Sequence, residues 1–268
     1  MGVTLIVLAV ALVAGLVGFA VSASRSVTLD PTGPIQRHSR FRRFLKERFD
    51  RESRRGFLVT VAFGLVFATA IVVGGVLDMV NAGSGLAEFD DGLAEWGPEH
   101  ASSAAVDVLE LITHLGGTWV VAAALVTTGV VEYRRTHRGE VLAFLAVVGI
   151  GQNLVVNLIK LIVDRERPAV LQLVGTSGAS FPSGHSAAAA ACWAAVAFVF
   201  ARERSRPAQG LLGGAAVVIA VAVAASRALL GVHWLTDIVV GLAVGWGWFA
   251  LVVLAFRTRE RTVSVRPA

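Results

Sequence analysis

Three short polar stretches in the second half of the chain carry the residues able to do chemistry. The first runs from Lys160 to Arg167 and Pro168. The second runs from Phe181 through Pro182, Ser183 and Gly184 to His185, and the third from Ser226 and Arg227 to His233 and Asp237. Lys160, Arg167 and Arg227 place positive charge in otherwise apolar surroundings, where unpaired cations are costly, so an anion is expected between them. The Arg fork suits the oxygens of a phosphate, and Lys supplies a mobile point charge. Ser183 is placed to cap a helix, Gly184 lets a ligand approach the backbone, and the free amides of that first turn point at an anion. Pro182 supports the same turn. His185 is then positioned to protonate a leaving oxygen. His233 and Asp237 are four residues apart, on one face if 233–237 are helical. A carboxylate there fixes the imidazole tautomer and leaves the other ring nitrogen free to attack phosphorus. The product of in-line attack is a phosphohistidine, which water hydrolyses with His185 as base, while the cations stabilise the equatorial oxygens. Ser226 is given a supporting role only.

The elements that must position these residues are membrane helices. Of the 268 residues 55% are hydrophobic and 16% charged, against about 25% charged in ordinary soluble domains. The mean hydropathy is +0.70. Apolar runs at 3–21, 57–77, 108–131, 141–159, 182–200, 211–225 and 238–256 predict seven spans. The run at 3–21 has no basic residue before it and a basic segment after it, so it reads as a retained helix rather than a signal peptide. Residues 78–105 are acidic and glycine-rich and read as an external loop with a short interfacial helix around Leu86 to Trp96. Gln152, Asn153 and Asn157 are expected to join helices by hydrogen bonds. Asp164, Arg165 and Glu166 are expected to contact one another or a lipid headgroup. His114, Trp246, Trp248 and Cys192 are assigned to packing or to the interface, and the tail after Phe256 is expected to be disordered.

The net charge of +5 does not point to nucleic acid, because the basic residues sit in clusters between apolar runs. If the loop after the first span is cytoplasmic, the Lys and Arg on the opposite side reduce to Lys160, Arg165, Arg167 and Arg227. That is a strong positive-inside bias, and most of its exceptions are residues already chosen for their chemistry. The reading is a multi-pass cell-membrane protein with its polar stretches on the extracytoplasmic face. A composition heavy in Arg and Ala, with Lys46 the single Lys outside the site, suggests a GC-rich bacterium.

In order and spacing, the three stretches resemble the three-part signature of the type 2 phosphatidic acid phosphatase (PAP2) superfamily, in its membrane lipid phosphatase branch. The resemblance covers about residues 57–256. It implies an all-α polytopic bundle with a six-helix core, to which the helix at 1–21, the basic cytoplasmic segment at 22–56 and a cytoplasmic tail at 257–268 are added. It also implies His233 as nucleophile, Asp237 as its partner and His185 as general acid. Lys160, Arg167, Ser183, Gly184 and Arg227 would hold phosphate, with no metal and no cofactor. The expected substrate is a lipid phosphate monoester or diphosphate, with phosphatidic acid and phosphatidylglycerophosphate as examples. Two alternatives stand beside it: a polyprenyl (undecaprenyl) diphosphate phosphatase that recycles a cell-wall lipid carrier, and a non-catalytic lipid-phosphate binding or transport protein.

Overall fold

In lipid every backbone N–H and C=O must find its partner within the protein, so long apolar runs fold as helices. The computed structural model describes residues 54–263, with side chains for 60–256. The expected helix at 3–21 and nearly all of the basic segment after it lie outside the described residues. The chain forms α1 (Arg54–Ala82), a 3-10 turn at Gly85–Phe89, α2 (Asp90–His100), α3 (Ser103–His114), α4 (Thr118–Thr136), α5 (Glu140–Val163), α6 (Gly184–Ala201), α7 (Arg206–Leu229) and α8 (Leu235–Val263). Five of these helices are long and apolar enough to cross a membrane, and α3 with α4 makes a sixth candidate as a pair bent by 44°. The fold is therefore an all-α, multi-spanning bundle. Leu158 on α5 and Leu211 and Val218 on α7 are exposed, as befits faces turned to lipid.

At the centre, α6 is clasped by α7 and α8. Ala187 to Ala191 and Ala195 are buried along it. Helix α8 meets it through Gly241 and Gly245, one turn apart. A Cβ on Gly241 would lie 2.6 Å from the Ser183 carbonyl oxygen, and one on Gly245 would lie 2.4 Å from that of Ala187. Small residues thus let the backbones touch, which is what drives helix association where lipid removes the hydrophobic advantage. Trp248 packs against α5 at Gly151 and donates its indole N–H to the Val147 and Val148 carbonyls at 3.2 Å. Trp246 and Cys192 also pack inside the bundle, as expected.

Several expectations are corrected. The apolar run at 108–131 is not one continuous helix: it breaks at Leu115–Gly117 and bends by 44° there. There the chain passes over the start of α6, with Gly116 so close that a Cβ would lie 2.7 Å from the His185 carbonyl oxygen. Trp193 locks the break by donating to the Leu115 carbonyl at 2.8 Å. The helical backbone of α8 continues past Phe256 to Val263, through more than half of the expected disordered tail. The amides of α5 do not join helices: Asn157 donates to Asn153 of its own helix at 3.0 Å, and Gln152 Oε1 is buried without a partner. The interfacial segment does form a helix, but its Asp90 is buried rather than solvated.

Candidate active site

The site lies where α5 and α7 end and α6 and α8 begin. Asp164 stops α5 in the left-handed conformation (φ 41°), which Asp tolerates better than most residues. Ser183 caps α6, its hydroxyl accepting the Ser186 N–H at 3.5 Å and the Ser186 hydroxyl at 2.9 Å. Between α7 and α8 the chain reverses in a few residues. Gly231 takes a positive φ of 69° there, and a Cβ would lie 2.9 Å from Pro98. This turn sets His233 just ahead of α8, with Asp237 in the first turn of the helix. Asp237 reaches back to the Trp234 N–H at 3.1 Å, a capping-box arrangement that aims its carboxylate at His233.

His233 Nδ1 lies 3.2 Å from Asp237 Oδ2, and Ser180 donates its hydroxyl to the same oxygen. On the other side of the ring, Arg167 Nη1 is 3.3 Å from His233 Nε2. A guanidinium only donates, so Nε2 is the bare nitrogen and Nδ1–H is held by Asp237. Burial pushes the His233 pKa down to about 4, against the opposing pull of the Asp237 hydrogen bond. The ring is thus neutral at ordinary pH, with Nε2 facing the cleft. Burial also lowers the Arg167 pKa, and Asp237 opposes that shift.

The cleft itself is about 900 Å³ and is walled by Lys160, Arg167, Gly184, His185, Arg227 and His233, with the backbone of the 174–179 loop across from them. Carbonyls of that loop and the residue after it hold two of the cations in place. Arg167 donates to Ser177 and Gly178 at 3.1 and 3.0 Å, and Lys160 donates to Ala179 and, at 3.4 Å, to Ser180. Arg227 is buried, donates to Thr113 Oγ1 at 3.1 Å, and keeps its Nε without a partner. A buried, unsatisfied guanidinium N–H at the wall of a cationic cleft is a place for an anion oxygen. Helix α3 adds Glu110, Thr113 and His114 to the wall. A second, largely apolar pocket of about 650 Å³ runs between α4, α5 and α6 and joins the cleft at Asn157, Lys160, Gly184 and His185.

Of the residues singled out from the sequence, the structure gathers Lys160, Arg167, Gly184, His185, Arg227 and His233 on one cleft, with Asp237 directly behind His233. Ser183, Pro182 and Ser226 are buried outside the cleft wall. Ser183 acts through its cap, and Ser226 returns its hydroxyl to the Val223 carbonyl at 2.7 Å. Arg165 does not reach toward a headgroup: it turns inward and bonds Asp237 Oδ1 at 2.8 Å. Ser180, Arg165 and Asp90 went unrecognised in the sequence. Arg165 was signalled only by its place two residues before Arg167, and Asp90 by nothing beyond an acid at a helix start. Among the described residues no group of three His, Cys, Asp or Glu could hold a metal ion.

Comparison with known proteins places this geometry. Residues 140–261 match the model of the PAP2 superfamily. Phosphatidylglycerophosphatase B of Bacillus subtilis is 35% identical over 153 residues, 54% of this chain and 72% of that protein. A lipid A 1-phosphatase of Rhizobium etli is 33% identical over 119 residues, 41% of this chain and 47% of that one. The crystal structure of a transmembrane PAP2-type phosphatidylglycerolphosphate phosphatase from Bacillus subtilis superposes with a TM-score of 0.62 at 26% identity, over 74% of this chain and 97% of that one. The chain belongs to the PAP2 superfamily and is a membrane-embedded lipid phosphatase.

Proposed function

We propose that this enzyme hydrolyses the terminal phosphate of a lipid phosphomonoester, phosphatidylglycerophosphate first among candidates, at the extracytoplasmic face and through a phosphohistidine. One observation carries the reading. His233 presents a bare Nε2 to a cleft walled by Lys160, Arg167 and Arg227, while Asp237 holds its Nδ1. Phosphate oxygens enter among the three cations and the first-turn amides of α6, at Gly184 and His185. Nε2 attacks phosphorus in line, the bond to the lipid oxygen breaks, and His185 gives that oxygen its proton. The imidazole becomes positively charged, and the Asp237 carboxylate stabilises it. Water then attacks phosphorus, His185 takes its proton, the phosphorus–nitrogen bond breaks and phosphate leaves.

The apolar pocket opening into the cleft supports a substrate with a hydrocarbon chain, which can lie along α4 and α5 while its phosphate meets His233. The similarity to the Bacillus subtilis enzyme supports phosphatidylglycerophosphate over phosphatidic acid. The test is phosphate release by detergent-purified protein, in the presence of a chelator, from phosphatidylglycerophosphate, phosphatidic acid and undecaprenyl diphosphate. The expected order puts phosphatidylglycerophosphate first. Preferred turnover of the diphosphate would assign the enzyme to lipid-carrier recycling instead, and release from none of the three would contradict the proposal.

A further inference from the structure

Asp237 has two carboxylate oxygens, and the proposed chemistry uses only one of them. Oδ2 serves His233, Ser180 and the Trp234 N–H. Oδ1 accepts from Arg165 Nη1 at 2.8 Å. The other arm of that guanidinium, Nη2, donates to Asp90 Oδ2 at 2.9 Å. Thr236 closes the ring: its N–H goes to Asp90 Oδ1 at 2.9 Å, its hydroxyl donates to Asp90 Oδ2 at 2.7 Å, and that hydroxyl accepts from Arg165 Nη1 at 2.7 Å. Asp90, Thr236 and Asp237 are all buried. Arg165 also lies over the Trp234 ring, 5.1 Å from its centroid, and that indole is tied to the Glu166 carbonyl at 2.9 Å.

We infer that Asp90 and Arg165 are positioning residues for the reaction: the bridge from Asp90 through Arg165 to Asp237 fixes the carboxylate behind His233 and leaves it its negative charge. This inference rests on the histidine-nucleophile reading above. One guanidinium shared by two carboxylates leaves the trio with one net negative charge, facing a ring that turns positive as phosphorus is attacked. Without Asp90 the same guanidinium would neutralise Asp237, and the carboxylate would do little for the developing imidazolium. The bridge also ties the segment after α1 to the reacting centre. Helix α2 is seated against the end of α7 so closely that a Cβ on Gly97 would lie 2.3 Å from the Leu229 carbonyl oxygen. Neither Asp90 nor Arg165 lines the cleft, so both act through Asp237.

The experiment is a double-mutant cycle on the full chain in detergent, reading kcat and KM separately, with His233→Ala as a reference. Asp90→Asn lowers kcat about ten- to a hundredfold, the scale seen for groups that orient metal-bound histidines, and leaves KM within about twofold. Arg165→Gln also lowers kcat. The double variant Asp90→Asn/Arg165→Gln recovers activity above either single variant, because charge balance behind His233 is restored. A merely structural bridge would instead leave the double variant no more active than the weaker single variant. Arg165→Lys keeps the charge and loses the fork that spans two carboxylates, so its kcat falls at unchanged KM, and it decides the matter if Asp90→Asn does not fold. Wild-type kcat in Asp90→Asn or in Arg165→Lys, or a double variant no more active than either single variant, would overturn the inference. If His233→Ala itself stays active, the histidine reading fails and the inference falls with it. An inactive His233→Ala beside an unaffected Asp90→Asn leaves that reading standing and sinks the inference alone.

Discussion

A histidine that must attack phosphorus has to be neutral, and burial makes His233 so. Its pKa of about 4 lies below the free value of about 6.5, so the neutral form persists until the pH falls through about 4. The acid limb of kcat/KM attributable to His233 is therefore expected near pH 4 and not near 6.5; a pH–rate profile with a soluble phosphomonoester checks it. The sign for stability runs the same way. The unfolded chain takes up this proton below about pH 6.5 and the folded chain resists it until about 4, so acid erodes stability across that window. Arg227 makes a second test. Its buried Nε has no partner, and Lys cannot reproduce the fork. Arg227→Lys should lower kcat/KM about a hundredfold or more in steady-state phosphate release, while folding in detergent is retained. At this scale the sequence was informative where the residues share a short polar stretch: Lys160, Arg167, His185, Arg227 and His233 were legible because apolar sequence gives them no other reason to be there. Asp90 was not. It stands 147 residues from Asp237, inside a segment that reads as an external loop, and only tertiary contact reveals that it is buried against Arg165.

At the scale of elements, the site depends on how closely α6 and α8 approach. Gly241 and Gly245 let the α8 backbone come against the Ser183 and Ala187 carbonyls, and α6 answers with alanines. Gly245→Leu should force the helices apart and destabilise the bundle by about 1–3 kcal/mol or more, the usual cost of overpacking. The expected readout is a lower thermal midpoint in detergent together with lost activity, since the same displacement moves Ser183 and His185 away from Asp237. The long apolar helices were legible from hydropathy alone, because continuous apolar runs of this length have few other fates. The break between α3 and α4 was hidden for the opposite reason. Its residues remain apolar through the bend, and what bends the chain is contact with His185 and Trp193, distant in sequence.

For the whole molecule, the distribution of Lys and Arg argues that the cleft opens outward. A cysteine placed at Thr176, in the loop across the cleft, should react in intact cells with a membrane-impermeant maleimide. One at Thr136, at the far end of α4, should react only after permeabilisation. Cys192 is buried and contributes little background. The reverse pattern would turn the cleft to the cytoplasm. The proposed chemistry stands on a covalent intermediate at one nitrogen. The most direct test is to quench the enzyme during turnover of a lipid substrate carrying radiolabelled terminal phosphate and examine the protein for acid-labile, base-stable label. The account predicts a labelled histidine at position 233, absent from His233→Ala. Turnover with no labelled protein at any quench time, or label that survives in His233→Ala, would contradict it.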